Sequence, residues 1–251
     1  MTSFSDIMQN IRNMLYGSFN NFPLTMAGVM LVIGLMTANY AFLFFLCGML
    51  IIAPIIHAIA SPLLEMLLNL LGVDPSVYKV PARDICSLVI PFTTSLPTNT
   101  SSTQLVNVSP SMWMSLTVFF FAYILTNAIS INSRPDDNIP VVTTATTKDD
   151  EEKINEQQTR LTTRKRLTMI SIITSAVIAV AFIALRVMKS GCETMTGVIT
   201  SLAIFAPLGY GWYAILSYVG QDRLSDLFGI ANRILPTSAM SDGPYACLPS
   251  A

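Results

Sequence analysis

The sequence predicts an all-α protein: a polytopic transmembrane helix bundle of about five spans, with amphipathic helices at both termini and a polar helical stalk. Composition gives the first reason. Of 251 residues, 52% are hydrophobic and 12% charged, about half the charge of an ordinary soluble domain, and the mean hydropathy is +0.57. Charge placement gives the second. No Asp, Glu, Lys or Arg occurs in 22–60, 86–133, 167–185 or 194–221, and about 20 helical residues, rising 1.5 Å each, cross a hydrocarbon core of about 30 Å. A net charge of -1 with no gathered Lys and Arg excludes a nucleic-acid footprint. The lipid bilayer is the first partner.

The elements follow in order. In 1–21, Phe4, Ile7, Met8, Ile11, Met14 and Leu15 share one helical face and Asp6, Gln9, Asn10 and Asn13 the other, the pattern of an amphipathic helix lying on the membrane or a partner, or capping the bundle. With no apolar core there for a cleaved signal peptide, the first span is expected to act as an uncleaved insertion signal. The charge-free block 22–60 holds 39 residues, about 58 Å of helix and too long for one crossing. Its polar "TANY", Thr37 to Tyr40, predicts a hairpin of spans near Phe22–Ala38 and Tyr40–Ala58; four spans result if this block dips in and out without crossing. In 61–110, "SPLLEMLLNLLGVD" reads as a short interfacial helix with Glu65 turned to water, followed by a Ser/Thr-rich loop.

Span three, 111–131, opens after Pro110 and carries Trp113 at interfacial depth,. Residues 132–166 hold a connector, "SRPDDNIPVVTTATTK", and a stalk, "DDEEKINEQQTRLTTRKRL". Acidic residues open the stalk, basic ones close it, and Glu156 with Arg160 makes an i,i+4 pair. Nothing between Asp149 and Val187 breaks a helix, so the stalk is expected to run into span four, 167–187. Span five, 194–220, contains Pro207, Gly209 and Gly211, which predict a kink or an unwound stretch.

Basic residues orient the chain. Arg12, Lys79, Arg83, Arg186 and Lys189 fall on one side; Arg134, Lys148, Lys153, Arg160, Arg164, Lys165, Arg166, Arg223 and Arg233 fall on the other, which the positive-inside rule makes cytosolic. Asn99 and Asn107 then stand in acceptor triplets for N-glycosylation on the lumenal side. Cys86 and Cys192 share that side; free buried thiols are the expectation, with a disulfide between the two as the alternative. Cys47 lies within a span and Cys247 in the cytosolic tail.

No catalytic, cofactor-binding or metal-binding signature is present,, and no enzyme activity or cofactor is expected. His57, Ser61 and Glu65, at i, i+4 and i+8, stack on one helical face as a candidate proton relay near the end of span two. The interrupted fifth span raises a second functional class, a small channel or transporter subunit, because broken helices expose backbone groups to ions. No internal repeat accompanies it.

The tail, 221–251, adds one more helical pattern. Leu224, Leu227, Phe228, Ala231, Ile234 and Leu235 share a face, Asp222 suits its start and Pro236 its end,. Asp222 and Asp226 balance Arg223 and Arg233, whereas a helix bound to anionic lipid is rich in Lys and Arg. The apolar face is therefore the expected contact with protein, either this bundle or a neighbour. "DRLSDLFGIANRILPTSAM", followed by "PYACLPSA", resembles the C-terminal ends of small multi-span membrane proteins encoded by large icosahedral DNA viruses of algae and other protists. That resemblance implies a structural protein of a virion's internal membrane, derived from a host endomembrane. There it would serve as a minor capsid protein linking bilayer to capsid layer within a large assembly.

Overall fold

The computed structural model describes residues 8–9, 19–81, 105–108, 110–133, 148–189, 191–220 and 224–227. Of the N-terminal amphipathic segment this leaves 8–9 and 19–21, helical except for a turn at 21.

Helix α1, Phe22–Met36, has 15 residues, about 22 Å, and is shorter than span one was expected to be. It starts with Pro23 in its first turn, where a missing N–H loses nothing,. The expected hairpin turn is present. Ala38 takes a left-handed φ of 49°, and the N–H groups of Thr37, Ala38 and Asn39 bond to Ile33, Leu35 and Gly34 carbonyls at 2.9, 3.4 and 3.0 Å. The Asn39 side chain then caps the next helix by accepting from Ala41 N at 3.0 Å. With these backbone groups satisfied internally, the turn needs no outside hydrogen-bond partner. Gly34 lets the two arms meet: a Cβ there would stand 2.8 Å from Phe42 Cβ.

Helix α2 corrects the expected boundary at Ala58. It runs over Tyr40–Leu70, 31 residues or about 46 Å, so span two and the interfacial segment are one element. Pro62 lies inside it; proline removes one bond, and the apolar periodicity on both sides carries the helix past. A π-helical turn occupies Gly48–Ile52. There Trp212 Nε1 donates to Phe44 O at 3.1 Å, and Gly48 leaves room for the indole, since a Cβ would stand 2.4 Å from that nitrogen.

A four-residue helix α3, Pro75–Tyr78, leads into strand β1, Lys79–Pro81, paired antiparallel with β2, Leu105–Val108. Nothing in the Ser/Thr-rich loop signalled this pair. Helix α4, Met112–Ser133, is buried on nearly all sides and forms the axis of the bundle, which suits a helix apolar all round. Helix α5, Lys148–Ala184, has 37 residues and ends in a π-helical turn, Leu185–Lys189. Stalk and fourth span are thus one helix, as expected.

Helix α6, Met195–Gly220, is uninterrupted through Pro207, so the expected unwinding does not occur. Gly197, Ser201, Phe205, Gly209 and Tyr213 are buried at four-residue intervals, a small-residue stripe of the kind that lets membrane helices approach closely. At Gly209 an added Cβ would stand 2.7 Å from Phe119 O, 3.0 Å from Ala122 Cβ and 3.2 Å from Tyr123 N. Proline here sits in a helix held by its neighbour rather than one free to open.

Among the described residues four helices are long and apolar enough to cross a membrane, Tyr40–Leu70, Met112–Ser133, Lys165–Met188 and Met195–Gly220, rather than the five expected, because the first expected span is the shorter apolar helix Phe22–Met36. Aromatic rings fill the centre. Phe22 meets Phe182 at 4.5 Å edge to face, Phe45 meets Tyr123 at 4.8 Å, and Phe120 meets Phe121 at 5.1 Å, within the favourable range for such pairs. Because the atom nearest Gly209 is backbone, Gly209→Ala is expected to force α4 and α6 apart at a cost of about 1–3 kcal/mol. Gly211→Ala, with nothing within 4 Å, should leave the melting temperature in detergent unchanged; equal shifts for both variants would refute the close contact.

Candidate functional site: a buried polar clamp at one end of the bundle

The π-helical turn that closes α5 carries Arg186, which is 1% exposed. Its guanidinium carbon lies 4.8 Å from the Trp113 ring centroid, and its Nη1 donates to Asn20 Oδ1 at 2.9 Å. The Glu193 carboxylate, itself buried, acts on it electrostatically. A charge at this depth survives only when paired and hydrogen-bonded, and a desolvated cation over an indole face contributes about 2 kcal/mol. The indole is held in turn, with Nε1 donating to Phe19 O at 3.3 Å.

Glu193 ties the clamp to α4. It accepts from Ser111 N at 3.2 Å and from Ser111 Oγ; Ser111 Oγ also accepts from Met114 N at 3.2 Å, the N-cap bond of α4. One turn deeper, Ser115 Oγ donates to Ser111 O at 3.1 Å and contacts His57 Nδ1 at 3.1 Å. Two sets of contacts result, Asn20, Arg186 and Trp113 in one and Glu193, Ser111, Ser115 and His57 in the other, with the Glu193 charge acting on Arg186 across them. The relay expected from His57, Ser61 and Glu65 is not assembled, since Glu65 pairs with Lys79 at 2.9 Å. Cys192 N donates to Arg186 O at 3.3 Å; Cys192 is buried and disulfide-bonded, and Cys47 is free. The free thiol expected at Cys192 is thereby corrected, while Cys86, the partner in the alternative, lies outside the described residues.

The opposite end closes on a weaker contact, Thr168 Oγ1 to Asn132 Oδ1 at 3.2 Å. Trp113 and Asn132 are 19 residues apart and Arg186 and Thr168 are 18, so both helices measure about 27–28 Å between the two closures. That length matches a hydrocarbon core of about 30 Å.

The tail residues change meaning here. Residues 224–227 form turns, not the first turn of a helix. Leu227 is fully buried in this chain's own core, with Leu224 packed beside it, and Tyr123 OH donates to Ser225 O at 3.2 Å. Leu227 is therefore a core residue and is closed to a partner. Phe228, Ala231, Ile234 and Leu235 lie outside the described residues, as does Asn99. Asn107 sits in β2 opposite Val80.

No metal-holding group of His, Cys, Asp or Glu occurs among the described residues. No protein-family model, curated protein or solved structure matches the chain. Sequence reasoning counted Arg186 only as a charge on one side and missed it as the centre of the clamp. The available signal was a lone Arg at the end of an apolar run with Trp at the matching end of the next helix over.

Leaving a buried polar group without its partner costs about 1–3 kcal/mol, more for a charged one. Asn20→Ala, which removes the Asn20 bond to the Arg186 guanidinium, is expected to destabilise by that amount, measured by denaturation in mixed micelles; an unchanged midpoint would exclude the bond as a closure of the bundle. Leu227→Ala is expected to cost about 2–5 kcal/mol in the same assay, a loss that a residue facing a partner would not show.

Proposed function

We propose that this chain is a structural membrane protein whose sealed bundle anchors α5 as a stalk for contact with an overlying protein layer. One observation carries the reading. Thr168, at the bundle's closure, is 20 residues from Lys148, the start of α5, so about 30 Å of continuous helix extends past that level. This extension holds Lys148, Lys153, Arg160, Arg164, Lys165 and Arg166 against Asp149, Asp150, Glu151, Glu152 and Glu156. Mixed, nearly balanced charge suits a protein surface better than anionic lipid. The resemblance of the tail extends the proposal to the internal membrane of a large icosahedral virus, with a capsid layer as the partner and the chain as a minor capsid or membrane-anchoring component.

A channel or transporter subunit is the second reading. Thr117, Ser201, Tyr213 and Asn127, on α4 and α6, have buried side-chain polar atoms with no hydrogen-bond partner among the described residues, and buried groups of this kind line ion paths. Phe45, Phe119 and Phe205, all fully buried, and the backbone contact at Gly209 weigh against a continuous path.

Lysine cross-linking on assembled particles decides between them. Cross-links from Lys148 and Lys153 to capsid-layer polypeptides are the expected result. Cross-links confined to this chain, together with ion conductance of the purified protein in planar bilayers, would overturn the structural reading.

A further inference from the structure

Beyond the level of the clamp, α2 does not become polar. His57 contacts Ser115, just inside Trp113, yet the helix continues from there to Leu70, about 20 Å farther along its axis. In this extension Leu63, Met66, Leu67, Leu70 and Leu71 are between 52% and 81% exposed. They recur at spacings of three, one, three and one, which makes a single stripe. The stripe continues the one formed inside the bundle's membrane-crossing length by Ile51, Ile55 and Ile59, all more than half exposed.

The opposite face is polar and is used up by this chain. Glu65 Oε1 lies 2.9 Å from Lys79 Nζ, and Tyr78 OH donates to Asn69 Oδ1. The Glu65 carboxylate, hydrogen-bonded to the Lys79 ammonium, holds that lysine above its ordinary range. Thr196 Oγ1, in the first turn of α6, donates to Val77 O at 2.6 Å. These three contacts draw the far end of the extension back to the rim of the bundle. A helix standing straight out would put five large apolar side chains in water, whereas one drawn down to the rim can keep them in lipid.

We propose that residues 62–71 lie within the lipid leaflet at this end of the bundle, with Leu63, Met66, Leu67, Leu70 and Leu71 against acyl chains and Glu65 and Asn69 turned to the protein. The occupant of the stripe is lipid because the stripe is continuous with the lipid-facing surface of α2. It is also uncharged along its whole length, and Glu65, the one ionisable residue within 62–71, is paired with Lys79 on the far side. The proposal stands independently of any viral or capsid role.

Spin labels at Met66→Cys and Leu70→Cys, with Ser76→Cys as the aqueous reference, test it in phosphatidylcholine vesicles after subtraction of the signal that the unsubstituted chain gives with the same reagent. The labels at 66 and 70 are expected to collide more with oxygen than with a water-soluble nickel chelate, the reverse of the label at 76. Nickel collisions at 66 and 70 equal to those at 76 would place the stripe in water; protection from both relaxants would place it under protein. Either result overturns the proposal. The unsubstituted chain gives an independent reading in vesicles containing a phosphatidylcholine with a diazirine in its acyl chain. Carbene adducts within 62–71 are expected, and their absence, alongside adducts on 51–59, has the same overturning force.

Discussion

A guanidinium held between an indole face and an asparagine, in the field of a buried carboxylate, fixes how the helices of this protein can sit. Arg186 ends α5, Trp113 begins α4, Glu193 precedes α6 and Asn20 precedes α1, so four elements meet at one charge. A cation in this position is favoured by the carbonyl end of its own helix and disfavoured by its burial. The balance depends on all of its partners being present together. Such an arrangement sets register: slide α5 by one turn against α4 and the guanidinium leaves Trp113 and Asn20, while Thr168 leaves Asn132 at the other end.

With register set at both ends, the middle needs only to fill space. It does so with rings around α4 and with glycine where α6 passes: Phe119, Phe45 and Phe205 are fully buried, and Gly209 meets the α4 backbone itself. Lipid tails are as apolar as these side chains, so hydrophobic transfer cannot be what holds helix to helix in the membrane. Close packing and the two polar closures have to do it.

Much of this was legible in the sequence wherever a single physical constraint spoke alone. A charge-free block too long for one crossing has to turn, and it turns at the polar Thr37–Asn39. A run without glycine or proline from Lys148 to Ala184 has to stay helical. Legibility failed where two constraints competed. Pro62 and Pro207 carry a local signal to break, but each removes one hydrogen bond, and flanking apolar periodicity and close packing against α4 outweigh it,. The pattern at Leu224 and Leu227 is helical in spacing, yet burial of Leu227 in the bundle core and the Tyr123 to Ser225 bond favour turns there. Arg186 was invisible as a clamp because its partners come from three other parts of the chain. Composition and spacing report nearest neighbours along a helix and carry no information on which distant indole a guanidinium will meet.

The two ends of the bundle are built for different surroundings, and this bears on what kind of work the molecule does. At the Thr168 end, α5 continues as a helix dense in both signs of charge, which keeps it out of lipid. At the Arg186 end, the chain that leaves the bundle turns its charged and amide groups inward, Glu65 to Lys79 and Asn69 to Tyr78. A protein that carries solutes needs a path that can open to both sides, and elements at either end free to move. Here each end of the bundle is closed by its own contacts, Arg186 with Trp113 and Asn20 at one and Thr168 with Asn132 at the other, and the helix interface between them has no room for a methyl group at Gly209. Close packing of that kind is a cost to a carrier and suits the anchor proposed above, because a stalk transmits position only as well as its base holds still.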